Sequence, residues 1–188
     1  MRTGIRVTAV VCLFLVCAGK EARGQIVIQY PGTPRYELGA QFTAVAPGGP
    51  VDAGNLGPGL HFGYNYNEFL ALDSDLNGYH PVTFFLGPRI GYTSRDLGVY
   101  VKARPGLIHF TSGESSIAPI EKNPTHFALD TGVVLARYFE SGFYVRCDVG
   151  RIFVNYGGGS YTDPVTRQTY HLGTPGGFLG SIGIGARW

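Results

Sequence analysis

The feature that most constrains the fold of this chain is an alternation of apolar with polar or small residues at a period of two. Residues 98–107 show it clearly, with Val99 and Val101 on one side and Lys102 and Arg104 on the other. Successive side chains of a β-strand point to opposite sides of the sheet, so this pattern predicts a strand with one apolar face. The eight segments with this alternation are 36–45, 59–66, 68–76, 82–93, 97–110, 126–139, 142–155 and 177–188.

The connections between these segments alternate between short and longer ones. Segments two and three, four and five, and six and seven are joined by only a few residues. The three longest connections, at 46–58, 111–125 and 156–175, are rich in Gly, Pro or polar residues. In outer-membrane barrels the periplasmic turns are short and the extracellular loops are long, whereas a soluble sandwich has no reason to follow that order. The chain is therefore predicted to be all-β, an eight-stranded antiparallel up-and-down transmembrane β-barrel.

The composition indicates which face of the barrel meets lipid. The polar face is dominated by glycine, while the opposite face carries Phe, Tyr, Leu and Val in nearly every segment. Charged residues make up only 15% of the chain, fewer than a water-exposed barrel surface normally carries. Small residues suit the narrow lumen of an eight-stranded barrel, which side chains fill without leaving an aqueous channel. We therefore expect the bulky face to contact lipid.

Acidic and basic residues occur in equal numbers on the polar face. A buried charge is costly unless it is paired and hydrogen-bonded, and an equal count is what a closed internal network requires. We therefore predict a structural charge network in the lumen. Its ten members are Glu37, Asp73, Asp75, Asp130, Asp148, Arg89, Lys102, Arg104, Arg146 and Arg187.

The N-terminal residues have the features of an export signal. Basic residues precede an apolar run over 7–18, and small residues stand just before Gln25. That run is shorter than the roughly 20 residues a spanning helix needs, so a cleaved signal over 1–24 is favoured over an anchor helix. The predicted organisation is completed by an N-terminal arm over 25–35 and a barrel over 36–188. After cleavage one cysteine would remain, which cannot form an internal disulfide.

Aromatic residues collect near the ends of the predicted strands. In membrane barrels, amphipathic rings form girdles at the two interfaces between lipid and water. As a set, these rings favour a membrane location. They are Tyr36, Tyr64, Tyr66, Tyr92, Tyr138, Phe139, Phe143, Tyr156 and Trp188.

The C-terminal segment looks like the terminal signature of bacterial outer-membrane β-barrels, which their assembly machinery recognises. Its alternating positions are Phe178, Ile182, Ile184, Ala186 and Trp188. Most members of that group end in Phe, and Trp188 departs from the pattern. The stretch 127–148 and the run Gly-Pro-Arg-Ile-Gly-Tyr at 87–92 resemble the OmpA/OmpX-like outer-membrane β-barrel domain family.

The resemblance covers 36–188 and implies a monomer in a Gram-negative outer membrane, exported by its signal peptide. It implies contacts with outer-membrane lipid and lipopolysaccharide, and with the barrel-assembly machinery through the C-terminal strand. The expected role is structural or surface-facing, with the long loops as contact elements for an unknown extracellular partner and with no open pore. A net charge of +2 gives no basic footprint for nucleic acid.

No motif in the sequence predicts a catalytic site, a metal site or a cofactor. There is no P-loop, no GxGxxG run opening a helix and no Cys/His zinc spacing. One alternative is a lipid A-modifying enzyme, but Ala128 follows His126-Phe127 where the His-x-Ser element of lipid A deacylases needs its nucleophile. The other alternative is a soluble periplasmic lipocalin-like carrier, whose N-terminal Gly-x-Trp is absent because Trp188 is the single tryptophan. The chain is expected not to be an enzyme.

Overall fold

The computed structural model describes residues 34–48, 54–78, 80–94, 96–111, 124–162, 167 and 169–188. Within this part of the chain no helix is long and apolar enough to cross a membrane. Its ten strands are β1 (Tyr36–Ala46), β2 (Asn55–Asn65), β3 (Leu70–Asn77), β4 (Val82–Thr93), β5 (Leu97–His109), β6 (Thr125–Tyr138), β7 (Phe143–Val154), β8 (Ser160–Thr162), β9 (Thr169–His171) and β10 (Gly176–Arg187). The predicted signal segment 1–24 lies outside the described residues.

Eight of these strands close into an antiparallel barrel in the order β1-β10-β7-β6-β5-β4-β3-β2. The first barrel strand pairs with both β2 and the last strand, β10, so the sheet has no open edge. This confirms the predicted eight-stranded antiparallel barrel. The remaining two strands, β8 and β9, form a separate hairpin in the connection between β7 and β10.

The two ends of the barrel differ in their connections. The short-turn end carries the turns at 66–69, 94–96 and 139–142, together with the start of β1 and the end of β10. The opposite end, called the long-loop end here, carries the connections 47–54, 78–81, 110–124 and 155–175. The first of these loops is shorter than predicted, because β2 begins at Asn55 and not at residue 59. The last is not a plain loop, because it contains the β8–β9 hairpin.

The two sides of the barrel wall have opposite character. Outward-facing Ile184 and Val101 are 65% and 60% exposed, whereas Arg104 and Asp130, which face the lumen, are fully buried. Strand alternation produces this difference, since neighbouring residues on each strand point to opposite sides of the sheet. The barrel therefore has its apolar side chains outside and its charged side chains inside.

The rings at the short-turn end divide between the two sides. Tyr66, Tyr92, Phe143 and Trp188 are exposed on the outer surface and belong to a girdle there. Tyr138, by contrast, is 2% exposed and points into the lumen. The assignment of Tyr138 to a girdle of interfacial rings was wrong, because alternation continues to the last residue of β6.

The lumen at the long-loop end is filled by large apolar side chains, which the sequence pattern did not predict. We call this set the upper apolar cluster. Its members are Val45, Phe85, Ile108, Phe110, Ala128, Ile152, Val154, Tyr156, Leu172 and Leu179. Tyr156 and Leu172 come from the connection between β7 and β10, so this loop packs into the mouth of the barrel. Glycine and other small residues were expected to dominate the lumen, and at this end large apolar side chains fill it instead.

The seam between β4 and β5 is weakened by two prolines in the middle of the sheet. Gly91 donates its backbone N–H to the carbonyl of Phe69, which directly precedes β3, at 2.8 Å. The backbone N–H and C=O groups of even-numbered β4 residues therefore point toward β5. Pro88 is one of them, and Pro105 stands opposite the even-numbered Leu86. Proline lacks an N–H, so each removes one donor from this seam. The regular pairing of β4 with β5 is interrupted here.

Cys147 lies on the outward face of β7 and is 7% exposed. It is disulfide-bonded, and its partner lies outside the described residues. The expectation of no internal disulfide was made for the chain without residues 1–24.

Candidate functional site

The charged residues of the lumen converge on its middle, and we call them the lumen charge network. They come from seven neighbouring barrel strands, β1 to β7, because each strand contributes at least one inward-facing polar position. The members with the lowest exposure are Glu37, His61, Asp73, Asp75, Arg89, Lys102, Arg104, Asp130, Arg146 and Asp148, none of which exceeds 4%.

Arg104 of β5 is the most connected cation of the network. One of its terminal nitrogens, Nη1, lies 2.7 Å from Asp73 Oδ2 and 2.6 Å from Asp75 Oδ2. Its Nε donates to Asp130 Oδ2 at 2.9 Å, and its Nη2 also contacts Asp130. A guanidinium presents five donors in a planar fork, which allows one arginine to bind three carboxylates.

Arg146 of β7 spans the lumen. Its two terminal nitrogens donate to the two oxygens of Asp73 on β3, at 3.0 and 2.7 Å. Strands β3 and β7 lie directly opposite each other in the strand order of the barrel. The same guanidinium also donates to Asp148 at 2.9 Å and contacts the ring of His61. One bidentate ion pair therefore bridges the full width of the lumen.

The remaining two buried cations neutralise the edges of the network. Arg89 donates to Glu37 at 2.6 Å and to Asp73 at 3.3 Å. Lys102 donates to Asp130 at 2.7 Å and also contacts Asp148. Each of these carboxylates thus has at least one cation within contact distance, which is what the burial of an ionised carboxylate requires.

Arg187 is set apart from the other nine predicted members. It is only partly buried, near the end of β10, and its guanidinium stacks over the ring of Tyr138 with 4.1 Å between guanidinium carbon and ring centroid. Tyr138 in turn donates to Glu37 at 3.2 Å. Arg187 therefore covers the network at the short-turn end through a cation–π contact.

His61 is a member that sequence reasoning did not select. Its Nδ1 lies 3.0 Å from Asp75 Oδ1, and its Nε2 lies 3.6 Å from Asp73 Oδ1. The signal was present in the sequence, because His61 alternates with Phe62 on β2, but a single histidine did not stand out. Its inward position gives the network a basic group next to three carboxylates.

His61, Asp73 and Asp75 also have the spacing of a metal site, since one ligand atom from each lies within 4.8 Å of the others. The surrounding charges argue against that use. Arg104 and Arg146 already bind these carboxylates at 2.6 to 3.0 Å, so they supply the positive charge a cation would bring. The set is therefore described as part of the lumen charge network.

Two histidines, His109 and the His126 weighed above as a catalytic residue, lie at the long-loop end in different settings. His126 is buried, packs against the rings of Phe110 and Tyr156, and is followed inward by the buried Ala128. His109 is exposed on β5 and makes a 2.8 Å hydrogen bond with Thr125. Burial raises the pKa of the Tyr156 phenol above its ordinary value. This end of the lumen is a packed apolar mouth.

The predicted C-terminal signal lies on the outward face of β10 and ends at Trp188, directly after this strand. Its members Phe178, Ile182, Ile184, Ala186 and Trp188 alternate with inward-facing residues, and Ile184 and Trp188 are more than 60% exposed. The Trp188 N–H donates to the carbonyl of Tyr36 at 3.1 Å, and the two rings stack with centroids 6.0 Å apart. The last residue thus joins the two strands that close the barrel.

The comparisons with known proteins bear on the fold. The barrel is similar to the N-terminal β-barrel domain of Pseudomonas aeruginosa OprF, with a TM-score of 0.52 and 15% identity, over 84% of this chain and 100% of that chain. It also matches the attachment invasion locus protein Ail of Yersinia pestis, with a TM-score of 0.46 and 13% identity, over 85% of this chain and 100% of that chain. The sequence matches no protein-family model and no curated protein.

The likeness to the OprF barrel domain, together with the closed barrel of this chain, defines the class of protein by its fold. The chain has the OmpA/OmpX-like eight-stranded outer-membrane barrel fold. At 15% identity the likeness is one of architecture alone, so the role of this chain has to be argued from its own side chains.

Proposed function

We propose that the chain is a monomeric integral protein of a Gram-negative outer membrane with a structural or surface-facing role. The observation that carries this proposal is the inverted polarity of the barrel wall. Phe42, Leu56 and Leu60 on β1 and β2 are between 56% and 64% exposed, whereas the charges lie inside. A soluble protein rarely exposes a continuous apolar surface of this extent. A bilayer removes the cost of that exposure.

The filled lumen favours a structural role over transport. The Arg146–Asp73 pair bridges the lumen, and the upper apolar cluster fills the mouth above it. An eight-stranded barrel has just enough interior for its own side chains. We therefore propose that the protein has no open pore.

The long loops are the proposed contact elements for an extracellular partner. They lie together at one end of the barrel, and the β8–β9 hairpin extends from the longest of them. Loops held by a rigid scaffold are frequent sites of binding. Replacing residues 158–170 by a short turn should abolish binding of the extracellular partner while the barrel still folds. Unchanged binding would contradict the loop assignment.

The C-terminal strand is the proposed contact with the barrel-assembly machinery and the outer surface is the proposed contact with outer-membrane lipid. Trp188 and Ile184 are exposed on the outward face of the closing strand, where a folding factor would meet them before closure. Deleting Trp188 should lower the amount of folded protein in the outer membrane. An unchanged amount would contradict that role.

Membrane fractionation with gel migration tests the proposal as a whole. The chain should sediment with outer membranes, resist extraction at alkaline pH, and migrate faster on a gel when it is not heated. A lipocalin-like soluble carrier would instead appear in the periplasmic extract, and that result would overturn the proposal. A lipid A-modifying enzyme would change the mass of lipid A in an expressing strain, which this proposal does not predict.

A further inference from the structure

The apolar outer wall contains one charged position away from the strand ends. Arg151 follows the inward-facing positions of Asp148 and Gly150 on β7, so its side chain points out of the barrel, and it is exposed. Within the described strands, no other charged side chain on the outward face lies more than two residues from a strand end. Arg151 has no ion-pair or hydrogen-bond partner among the described residues.

The position of Arg151 along β7 places it near the edge of the apolar band. The strand begins at Phe143 in the outer girdle of the short-turn end. Arg151 lies near the other end of the same strand, close to the long loops. At a rise of about 3.3 Å per residue and a tilt of about 40°, the vertical separation is roughly 20 Å. The apolar band of an outer-membrane barrel is about 25 Å tall, so Arg151 lies close to its upper edge.

The side chain of Arg151 extends toward the long-loop end. Arg151 is paired with Phe178 on β10, and Gly176 lies two residues nearer to the loops. A Cβ placed on Gly176 would lie 3.7 Å from the guanidinium carbon of Arg151 and 3.2 Å from the ring of Phe153. The guanidinium therefore points out of the apolar band, as long basic side chains do near a membrane interface.

The surroundings of this guanidinium form a small recognition surface. Gly176 has no side chain and leaves a hollow between Arg151 and the ring of Phe153. A planar guanidinium fork matches a phosphate group. An aromatic ring beside them suits the apolar part of a lipid.

We propose that Arg151, with Phe153 beside it, binds the phosphate of a phosphorylated glycolipid in the outer leaflet. The inference rests on the outer-membrane location proposed above. In that location the long-loop end of the barrel, with the upper edge of the apolar band, lies in the outer leaflet. The unpaired guanidinium supplies the charge complementarity. It also explains why an arginine stands where every other position of the band is uncharged.

Native mass spectrometry of the full barrel tests this site. Protein in a zwitterionic detergent is titrated with bisphosphorylated lipid A and, separately, with the same lipid lacking both phosphates. We expect one phosphorylated lipid per chain and an affinity about tenfold lower in Arg151→Gln, the size expected for a charged hydrogen-bonded contact. Arg151→Lys should retain part of the affinity, since it keeps the charge but not the fork.

Two further variants show whether the effect is specific to this site. Arg137→Gln removes the outward-facing arginine near the short-turn end, and it should bind lipid A as the wild type does. Gly176→Val keeps Arg151 and fills the hollow beside it, so it should weaken binding even if Arg151→Gln fails to fold. Equal affinity for lipid A in the wild type, Arg151→Gln and Gly176→Val would overturn the inference. A loss of affinity in Arg137→Gln as large as that in Arg151→Gln would overturn it too.

Competition with inorganic phosphate shows whether the ligand is a lipid headgroup or a free anion. Inorganic phosphate at the same concentration as the lipid should not displace it, and displacement would contradict a lipid headgroup as the ligand. Each variant is also fractionated. A wild-type protein absent from the outer membrane would defeat the proposed function, whereas a wild type in the outer membrane with unchanged lipid retention in Arg151→Gln would defeat only this inference.

Discussion

The two halves of the lumen are equally buried but are filled by side chains of opposite chemistry. In the middle and toward the short-turn end, Arg104 and Asp130 are fully buried within the lumen charge network. Toward the long-loop end, Ile108 and Ile152 are just as buried within the upper apolar cluster. Both halves come from the same inward-facing positions of the same strands. Burial in this barrel therefore does not select one residue type.

The difference teaches how each half contributes to stability. A buried charge network is costly to assemble, and it holds only while each member keeps its partners. An apolar cluster depends on filling its volume and tolerates the loss of one side chain at a cost set by the cavity left behind. We therefore expect substitutions in the charged half to have larger effects than truncations in the apolar half.

The largest expected effect is that of Arg146→Leu. It removes from Asp73 and Asp148 the Arg146 guanidinium that lies 2.7 to 3.0 Å away, so each of two buried carboxylates loses one of its cations. We expect a loss of about 3–5 kcal/mol in the free energy of unfolding. Urea unfolding in detergent micelles measures it. Arg137→Leu is the matched control, because that arginine is partly exposed, 3.8 Å from Asp96, and an unshifted midpoint in Arg146→Leu would contradict the network.

A smaller effect is expected from Leu172→Ala in the upper apolar cluster. Leu172 is 9% exposed and comes from the connection between β7 and β10, so its truncation leaves a cavity in the mouth. We expect a loss of about 2 kcal/mol, measured by the same urea unfolding. Thr162→Ala on the exposed β8 should change stability by less than about 0.5 kcal/mol. Equal values for the two variants would mean that the loop does not pack into the lumen.

The smallest expected effect concerns the seam between β4 and β5. Pro105→Val supplies a backbone N–H opposite Leu86, where the ladder is interrupted. One added hydrogen bond is worth about 1 kcal/mol, so hydrogen exchange of the Leu86 amide should slow by roughly fivefold. Pro58→Val, near the long-loop end of β2, should leave that amide unchanged. Faster or unchanged exchange in Pro105→Val would show that the prolines do not weaken the seam.

Much of the fold was predictable because the alternation has one physical cause. Successive side chains of each barrel strand point in turn to the lumen and to the outer surface. The inward-facing His61 and Arg104 therefore stand next to the outward-facing Phe62 and Pro105. The closed eight-stranded barrel was predicted from that pattern and from the order of short and long connections, and the structure confirms it.

The apolar half of the lumen could not be predicted in the same way. Alternation distinguishes the two faces only where one is apolar and the other is polar or small. At Phe85 the inward residue is as apolar as its outward neighbours Phe84 and Leu86, so the pattern carries no signal there. Tyr156 and Leu172 lie outside the barrel strands, and only the folded chain places them in the mouth.

The inverted polarity of the wall is tested most directly by methyl NMR of the barrel in lipid nanodiscs that contain a nitroxide-labelled lipid. The account predicts strong attenuation of the methyl signals of Leu60, Val101 and Ile184, which are 56–65% exposed on the outer face. The signals of Ile108, Val134 and Ile152, which are fully buried in the lumen, should persist. Attenuation of the second group with survival of the first would contradict the account.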